Sequence, residues 1–350
     1  MSICKAPFVG MTIDPQGEIE LCCNNRSVGK TFRTNIRDVN SLEEFFLSSS
    51  YQAIRDQFEN DGWEKYPACI NCLEQKKKKQ WINAQYYDNY FLEDYESYRD
   101  DLKVRFLEIT PSNICNQSCS TCSSYFSTNR GKVERQIFGQ AAYGTTKLSA
   151  SSIDKIKKLV PQLEHIMIKG GEPFADRSNL HILKELIGTN SSCSVHLVSN
   201  MHSIPEEFLT LLSDLKKQGN KFLISASIDG VGDLYEWIRG TRFEDTLNTM
   251  EECYLATGQP AGINVCVSMY NILRLQEIRE FFSKGKWKTI VSHVDVNNHV
   301  ITPDYAIPNF ETLSDDRRQY AIKYIKMMDK VRGINLFDIQ PELEEKLRVH

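Results

Sequence analysis

RFLEITPSNICNQSCSTC, residues 105–122, reads as a short apolar strand that runs into a loop holding Cys115, Cys119 and Cys122. Three thiols within eight residues point to a metal or cluster site rather than to packing. Structural zinc takes four ligands, usually as two close pairs, which a loop with three cysteines does not supply. Iron–sulfur proteins normally use four thiolates. The spacing C-x3-C-x2-C therefore leaves a four-iron cluster with one iron open to a ligand from outside.

Five further apolar strand candidates follow at intervals of roughly 25–40 residues: HIMIKGG (165–171), SVHLVSN (194–200), FLISASIDG (222–230), INVCVSMYN (263–271) and TIVSHVDVNN (289–298). Amphipathic helical patterns separate them, among them SSIDKIKKLVPQL and EEFLTLLSDLKKQG. Strand and helix alternating six times predicts a parallel sheet with crossover helices. Six units are too few for the closed eight-fold barrel, so the expected fold is α/β, a partial (β/α)6 TIM-like barrel over 104–300. Functional residues of such folds sit at the carboxyl ends of the strands.

Before this barrel, residues 1–103 read as a small α+β domain. GMTIDPQGEIELCC forms a hairpin around Asp14-Pro15-Gln16-Gly17, and SLEEFFLSSSYQAIRDQFEN is one helix opened by Ser41 and Glu44 as a capping box. YPACINCLEQ makes a tight turn, from which a long polar helix runs to about Leu102. The run Lys76 to Lys79 is either a solvated helix face or a docking patch for an acidic electron donor beside Cys69 and Cys72. After the barrel, residues 301–350 form a helical extension: a loop with Pro303 and Pro308, a helix at about 314–332 and a short tail.

The composition of the 350 residues is ordinary for a soluble enzyme. A net charge of −4 gives no reason to expect a nucleic-acid or anionic-membrane partner. No signal peptide and no apolar run of about 20 residues is present, which makes a cytoplasmic protein the expectation. Without an export signal, eleven cysteines read as ligands rather than disulfides. Eight fall in two groups: Cys4, Cys22, Cys23, Cys69 and Cys72, then Cys115, Cys119 and Cys122; Cys193, Cys253 and Cys266 are isolated.

The second barrel strand ends in Gly170-Gly171-Glu172-Pro173. Its glycines allow close backbone approach, and its carboxylate suits a ligand ammonium, although such a sequence is also an ordinary turn. Together with the cysteine loop it closely resembles the radical S-adenosylmethionine (SAM) superfamily. The resemblance continues at Ser199-Asn200, Ser227-Ile228-Asp229-Gly230 and Ile238-Arg239-Gly240, in the expected order over residues 104–298. It implies that Cys115, Cys119 and Cys122 hold a [4Fe–4S] cluster whose free iron is chelated by SAM. Gly170, Gly171 and Glu172 would receive the methionine amino group, Ser227 the ribose and Arg239 the carboxylate, with Asn200 beside the cofactor. The implied reaction is reductive cleavage of SAM to methionine and a 5′-deoxyadenosyl radical, which abstracts hydrogen from substrate. Two positions depart from the pattern: Thr121 stands where an aromatic is frequent, and Lys169 where a small or hydroxyl residue is common.

Cys4, Gly17 and Cys22, followed by Cys69-x2-Cys72, resemble a SPASM or twitch auxiliary-cluster motif, placed before the barrel rather than after it. The resemblance implies one auxiliary [4Fe–4S] cluster on Cys4, Cys22, Cys69 and Cys72, with Cys23 as the alternative to Cys22. A zinc ribbon has the same count of thiolates. On the substrate side, alternation places Asn264, Cys266 and Ser268 on one face of the fifth strand, and His293, Asp295 and Asn297 on one face of the sixth. Cys266 is then a hydrogen donor or a buried inert thiol, and His293 with Asp295 a substrate or proton site or a structural pair. Tyr235 and Trp237 only cover the barrel.

The function expected is a radical SAM enzyme of oxidoreductase type, acting on a peptide or small molecule in a net oxidation or cross-link, with a flavodoxin- or ferredoxin-type electron donor. No separate peptide-recognition domain precedes the barrel, which mildly disfavours a leader-peptide binder and leaves peptide and small molecule both open. The alternative is a non-catalytic zinc- or cluster-stabilised binding protein on a degenerate barrel; the intact set Cys115, Cys119, Cys122, Glu172 and Arg239 argues against it.

Overall fold

Asp14 closes the N-terminal hairpin: its Oδ1 accepts from the backbone N–H of Gln16 and Glu18, both at 2.9 Å. The hairpin joins β1 (Gly10–Ile13) to β2 (Ile19–Glu20) in antiparallel register. Then follow β3 (Phe106–Ile109), β4 (His165–Ile168), β5 (Ser194–Ser199), β6 (Phe222–Ser227), β7 (Ala261–Cys266) and β8 (Val291–Asn297). The computed structural model describes residues 3–24, 32, 34–77, 83–297, 310 and 313–348. Among these, one eight-stranded sheet has the order β2-β1-β3-β4-β5-β6-β7-β8, parallel from β1 through β8. β2 and β8 stand at opposite edges, so this is an open, TIM-like partial barrel.

Local chemistry starts and stops the crossover helices. Ser149 caps Ala150–Leu159 and Asp176 caps Arg177–Lys184 through side-chain oxygens that accept from backbone N–H groups. Glu206–Gln218 and Phe243–Thr257 end at Gly219 and Gly258 in the left-handed conformation. No helix among the described residues is long and apolar enough to cross a membrane.

Alternation divides the two faces of the sheet. On β6, Phe222, Ile224 and Ala226 are buried under helices, while Leu223, Ser225 and Ser227 are half-buried on the concave side. Strand register carries that concave face across the sheet, so that Glu108, Lys169, His196, Ser225, Ser227, Asn264, Cys266 and His293 share it. Its floor is tyrosine and histidine. Tyr86, on the helix Asn83–Tyr90, shares a 2.7 Å hydrogen bond with His165 Nε2, and Phe106 stacks on the same imidazole.

Several segments differ from expectation for local reasons. The helix expected at 41–60 breaks in two, because Ser48 caps a second helix, Ser49–Asp61. The long polar helix is instead Ile70–Lys77, Asn83–Tyr90 and Tyr95–Asp100, with residues 78–82 outside the described residues. The fifth barrel strand ends at Cys266, and Ser268 lies buried in a turn where its N–H donates to Asn271 Oδ1. The sixth starts at Val291, because Trp287–Ile290 is helical. The tail holds two short helices, Leu336–Ile339 and Pro341–Leu347. Pro303 and Pro308 lie outside the described residues.

Residues on either side of position 103 share one sheet and one apolar core. A second core gathers Trp237, Ile238, Met269 and Tyr270 with Tyr324, Ile325 and Met328 of the C-terminal helix Asp315–Arg332.

Candidate active site

The loop after β3 is shaped by polar side chains interleaved with its cysteines. Asn113 Nδ2 donates to the carbonyls of Ser124 and Gly144, and its Oδ1 accepts from Thr146 N. Gln117 Nε2 reaches the hydroxyls of Tyr235 at 2.9 Å and Thr241 at 2.7 Å. Ser120 donates to Ile238 O through both N and Oγ. The sequence reading passed over Asn113 and Gln117, the first lying two residues before Cys115 and the second between Cys115 and Cys119. Tyr235, read as mere cover, is fully buried and anchors that loop.

Gly170 and Gly171 seat the neighbouring loop against this one. Both have positive φ, +75° and +56°, and an added Cβ would stand 2.4 Å from Thr110 Cγ2 and 2.5 Å from Ile114 O respectively. The glycines thus let one loop meet the other, a closer constraint than room for a ligand. Glu172 is buried, and its carboxylate accepts from Ser199 Oγ at 2.8 Å, Asn200 N at 2.7 Å and Phe174 N at 3.2 Å. Burial pushes its pKa up to about 7, against the pull of those donors. Glu172 therefore ties the loops after β4 and β5 together. Asn200 Nδ2 continues to Asn116 Oδ1 at 2.7 Å and lies 3.8 Å from Cys115 Sγ.

Arg239 lies between a carboxylate and a thiol. Its Nε is 2.8 Å from Asp229 Oδ2, and its Nη1 is 3.5 Å from Cys119 Sγ. Burial works against its charge, but Asp229 and Cys119 hold it firmly as guanidinium. Asp229 Oδ1 accepts from Cys266 N at 2.8 Å, so this carboxylate joins Arg239 to the end of β7. Ser227 is half-buried on the concave face, level with Asn264. Lys169 pairs with the buried Glu108 at 2.9 Å, which explains how a lysine is accommodated before the two glycines. Beside them, His196 shares a hydrogen bond with Ser225, and burial lowers its pKa to about 4.

The substrate-side candidates differ in enclosure. Cys266 and Asn264 are half-buried on the concave face. His293 and Asp295 lie 3.4 Å apart at the open edge, with side chains 45% and 67% exposed. They do not form an enclosed acid–base pair.

None of the eleven cysteines forms a disulfide. Burial, then the proximity of Cys119, pushes the Cys122 thiol up to about 12, and the same two causes raise Cys115. In the N-terminal region burial pushes the Cys22 thiol well up, and Cys23, Cys72, Cys4 and Cys69 lie close enough to raise it further. Asn24 Nδ2 donates to Cys72 Sγ at 3.1 Å. Crowded, buried thiols resist ionisation alone and give up their protons to a cationic metal centre, so both sets fit an iron–sulfur cluster. Ligands of a single zinc ion must converge to within about 2.3 Å of one point. Among the described residues no group of three or more His, Cys, Asp or Glu is gathered closely enough to hold a single metal ion of any kind.

The C-terminal helix Asp315–Arg332 closes the cluster loop from behind. Arg332 Nη1 and Nη2 donate to Ser118 Oγ at 2.8 Å and Ser118 O at 2.6 Å, and its Nε donates to Trp237 O. Tyr324 donates to Ser120 O and accepts from Arg130 Nη2. Nothing in the sequence linked this helix to the cysteines.

Residues 109–282 match the Radical SAM superfamily, and residues 4–73 match the SPASM iron–sulfur cluster-binding domain. No curated protein matches the chain. Similar solved structures include native anSMEcpe with bound AdoMet, at 16% identity and TM-score 0.41 over 67% of this chain and 65% of that one. Streptococcus suis SuiB bound to its precursor peptide SuiA matches at 13% identity and TM-score 0.41, over 98% and 75%. A radical SAM methyltransferase from Sphaerobacter thermophilus matches at 13% identity and TM-score 0.37, over 64% and 63%. The chain spans less than two thirds of the length of the first and third of these. Residues 109–282 are thus a radical SAM domain, which implies a [4Fe–4S] cluster and SAM, and residues 4–73 a SPASM domain, which implies auxiliary iron–sulfur binding.

Proposed function

We propose that this protein is a radical SAM enzyme that carries out a net oxidation or cross-link on a peptide or small molecule, assisted by one auxiliary [4Fe–4S] cluster. The observation that carries the reading is the seating of the Cys115–Cys122 loop on Gly170-Gly171-Glu172, with Arg239 against Cys119. When bound, cluster and SAM supply one-electron cleavage of the sulfonium to methionine and a 5′-deoxyadenosyl radical.

The chain's own residues hold and orient these groups. Cys115, Cys119 and Cys122 hold the first cluster, with Asn200 beside Cys115. Gly170, Gly171 and Glu172 frame the place for the methionine amino group. Arg239, held charged by Asp229, serves the carboxylate, and the half-buried Ser227 the ribose. Cys4, Cys22, Cys69 and Cys72 hold the auxiliary cluster, with Cys23 as the alternative to Cys22; the closeness of all four other thiols to Cys22 supports a shared site. Four thiolates leave that cluster no open iron, which suits it to accept an electron from substrate. Cys266 faces the concave side next to the Asp229–Arg239 pair, as a hydrogen donor to substrate, while His293 and Asp295 contact the substrate's polar part from the open edge. In domain terms, residues 1–103 carry the auxiliary cluster, 104–300 the barrel and 301–350 the brace behind the cluster loop.

Anaerobically purified protein should be brown, bind about eight irons as two cubanes and release 5′-deoxyadenosine when reduced with SAM. Colourless, zinc-containing protein, or brown protein that never cleaves SAM, overturns the reading.

A further inference from the structure

We infer that the outward face of the C-terminal helix Asp315–Arg332 is the docking surface for an acidic one-electron carrier protein of the flavodoxin type. The inference rests on the proposed function, since it assigns the entry point for the electron that function requires.

The helix has two unlike faces. Ala321, Tyr324, Ile325 and Met328 are buried, and Tyr324 and Arg332 grip the carbonyls of Ser120 and Ser118 in the cluster loop. On the opposite side Gln319, Lys323, Lys326 and Lys330 recur at spacings of four, three and four, which makes one stripe along a helix. With the half-buried Ile322 and Met327 they line an open depression of about 380 Å³. All three lysines are exposed, and none pairs with a carboxylate among the described residues. Lys157 and Lys286, by contrast, are neutralised by Glu185 and Glu251. In a chain of net charge −4, three ammonium groups without a carboxylate partner among the described residues, set around an apolar centre, form a local positive patch. Met327 adds a deformable apolar contact suited to a transient partner.

Position supplies the second argument. A helix with its side chains is about 10–12 Å across, so a partner on the lysine stripe is separated from the Cys115–Cys122 loop by about one helix thickness. The other candidate patch is weaker: Lys76 is shared with Glu64 at 2.9 Å and covers the Trp63 ring, while Lys78 and Lys79 lie outside the described residues. One electron leaves the donor's anionic flavin hydroquinone, which becomes the neutral semiquinone. The cluster takes up that electron, and no bond or proton moves.

The test compares two reductants on the reconstituted full chain and its K323E/K326E/K330E variant, reading cluster reduction by stopped-flow bleaching and EPR. With flavodoxin hydroquinone at low salt, the variant should be reduced about tenfold or more slowly than wild type, and the salt dependence seen in wild type should be lost. With dithionite the two proteins should be reduced alike, and K76E should behave as wild type with both. Equal rates with flavodoxin overturn the inference, as does a K76E variant that slows instead. Should the triple variant lose iron, K323Q/K326Q takes its place, with a slowing of about threefold expected and equal rates again overturning the inference. Failure of the proposed function reads differently: dithionite-reduced wild type would then give no 5′-deoxyadenosine.

Discussion

The two thiol sets are built in opposite ways. Cys115, Cys119 and Cys122 occupy eight consecutive residues of one loop, whereas Cys4, Cys22, Cys69 and Cys72 come from three separated segments. The first set is local in ligands and long-range in support: Arg239 reaches Cys119, Arg332 grips Ser118, and Arg130 lies near Cys122. The second is long-range in its ligands, and among the described residues the groups that raise Cys4 and Cys69 are neighbouring thiols and carboxylates. A loop that carries its own ligands keeps them together when distant packing loosens, while a site assembled from separate segments survives only with the fold.

The largest expected effect separates the two sets directly. Cys119→Ala should abolish SAM cleavage, whereas Cys69→Ala should lose about half the iron yet still release 5′-deoxyadenosine. Iron analysis beside product chromatography reads both outcomes, and loss of SAM cleavage in Cys69→Ala would erase the distinction.

Acid should strain the second set first. Burial lowers the pKa of His165 to about 3 and of His196 to about 4, both from 6.5. A histidine with a depressed folded pKa contributes its full stability above pH 6.5 and loses it as pH falls toward the folded value. For His196 that is about 3 kcal/mol between pH 6.5 and 4. For His165 the window runs on to about pH 3, where charging it also disturbs its hydrogen bond with Tyr86, which fastens the helix Asn83–Tyr90, downstream of Cys72, to the sheet. Urea midpoints should fall over this window, and His165→Phe should flatten the fall. Iron should leave the Cys69 set before the Cys119 set.

A smaller effect probes the support of the first set. Arg332→Met removes three hydrogen bonds to Trp237 and Ser118, at a cost of about 2 kcal/mol in denaturant unfolding. The auxiliary iron should be unaffected. The smallest effect is expected at the half-exposed Lys76, where removing the pair with Glu64 should cost less than about 1 kcal/mol.

Much of this architecture was legible residue by residue. Strand and helix alternation gave the parallel barrel, because each element's period is written in neighbouring residues. Boundaries slipped where a single cap decided them, as at Ser48, or where a turn competed with a strand, as at Ser268 and Asn271. The site was legible in its ligands and not in their settings. Glu172, a plain acceptor in sequence, spends its oxygens on Ser199, Asn200 and Phe174. His293 and Asp295, which alternation alone set facing a cavity, lie on the edge strand with side chains 45% and 67% exposed.

The sequence by itself determined the cysteine spacings, the glycine-glutamate turn and the order of strands, since all of these depend on residues a few positions apart. Only the tertiary structure decided that Cys22 and Cys23 come close to Cys4, Cys69 and Cys72, that Asp229 holds Arg239 beside Cys119, and that Arg332 reaches Ser118 across 214 positions. Such contacts are fixed by how the sheet curves and where its helices pack, and no local pattern encodes those distances.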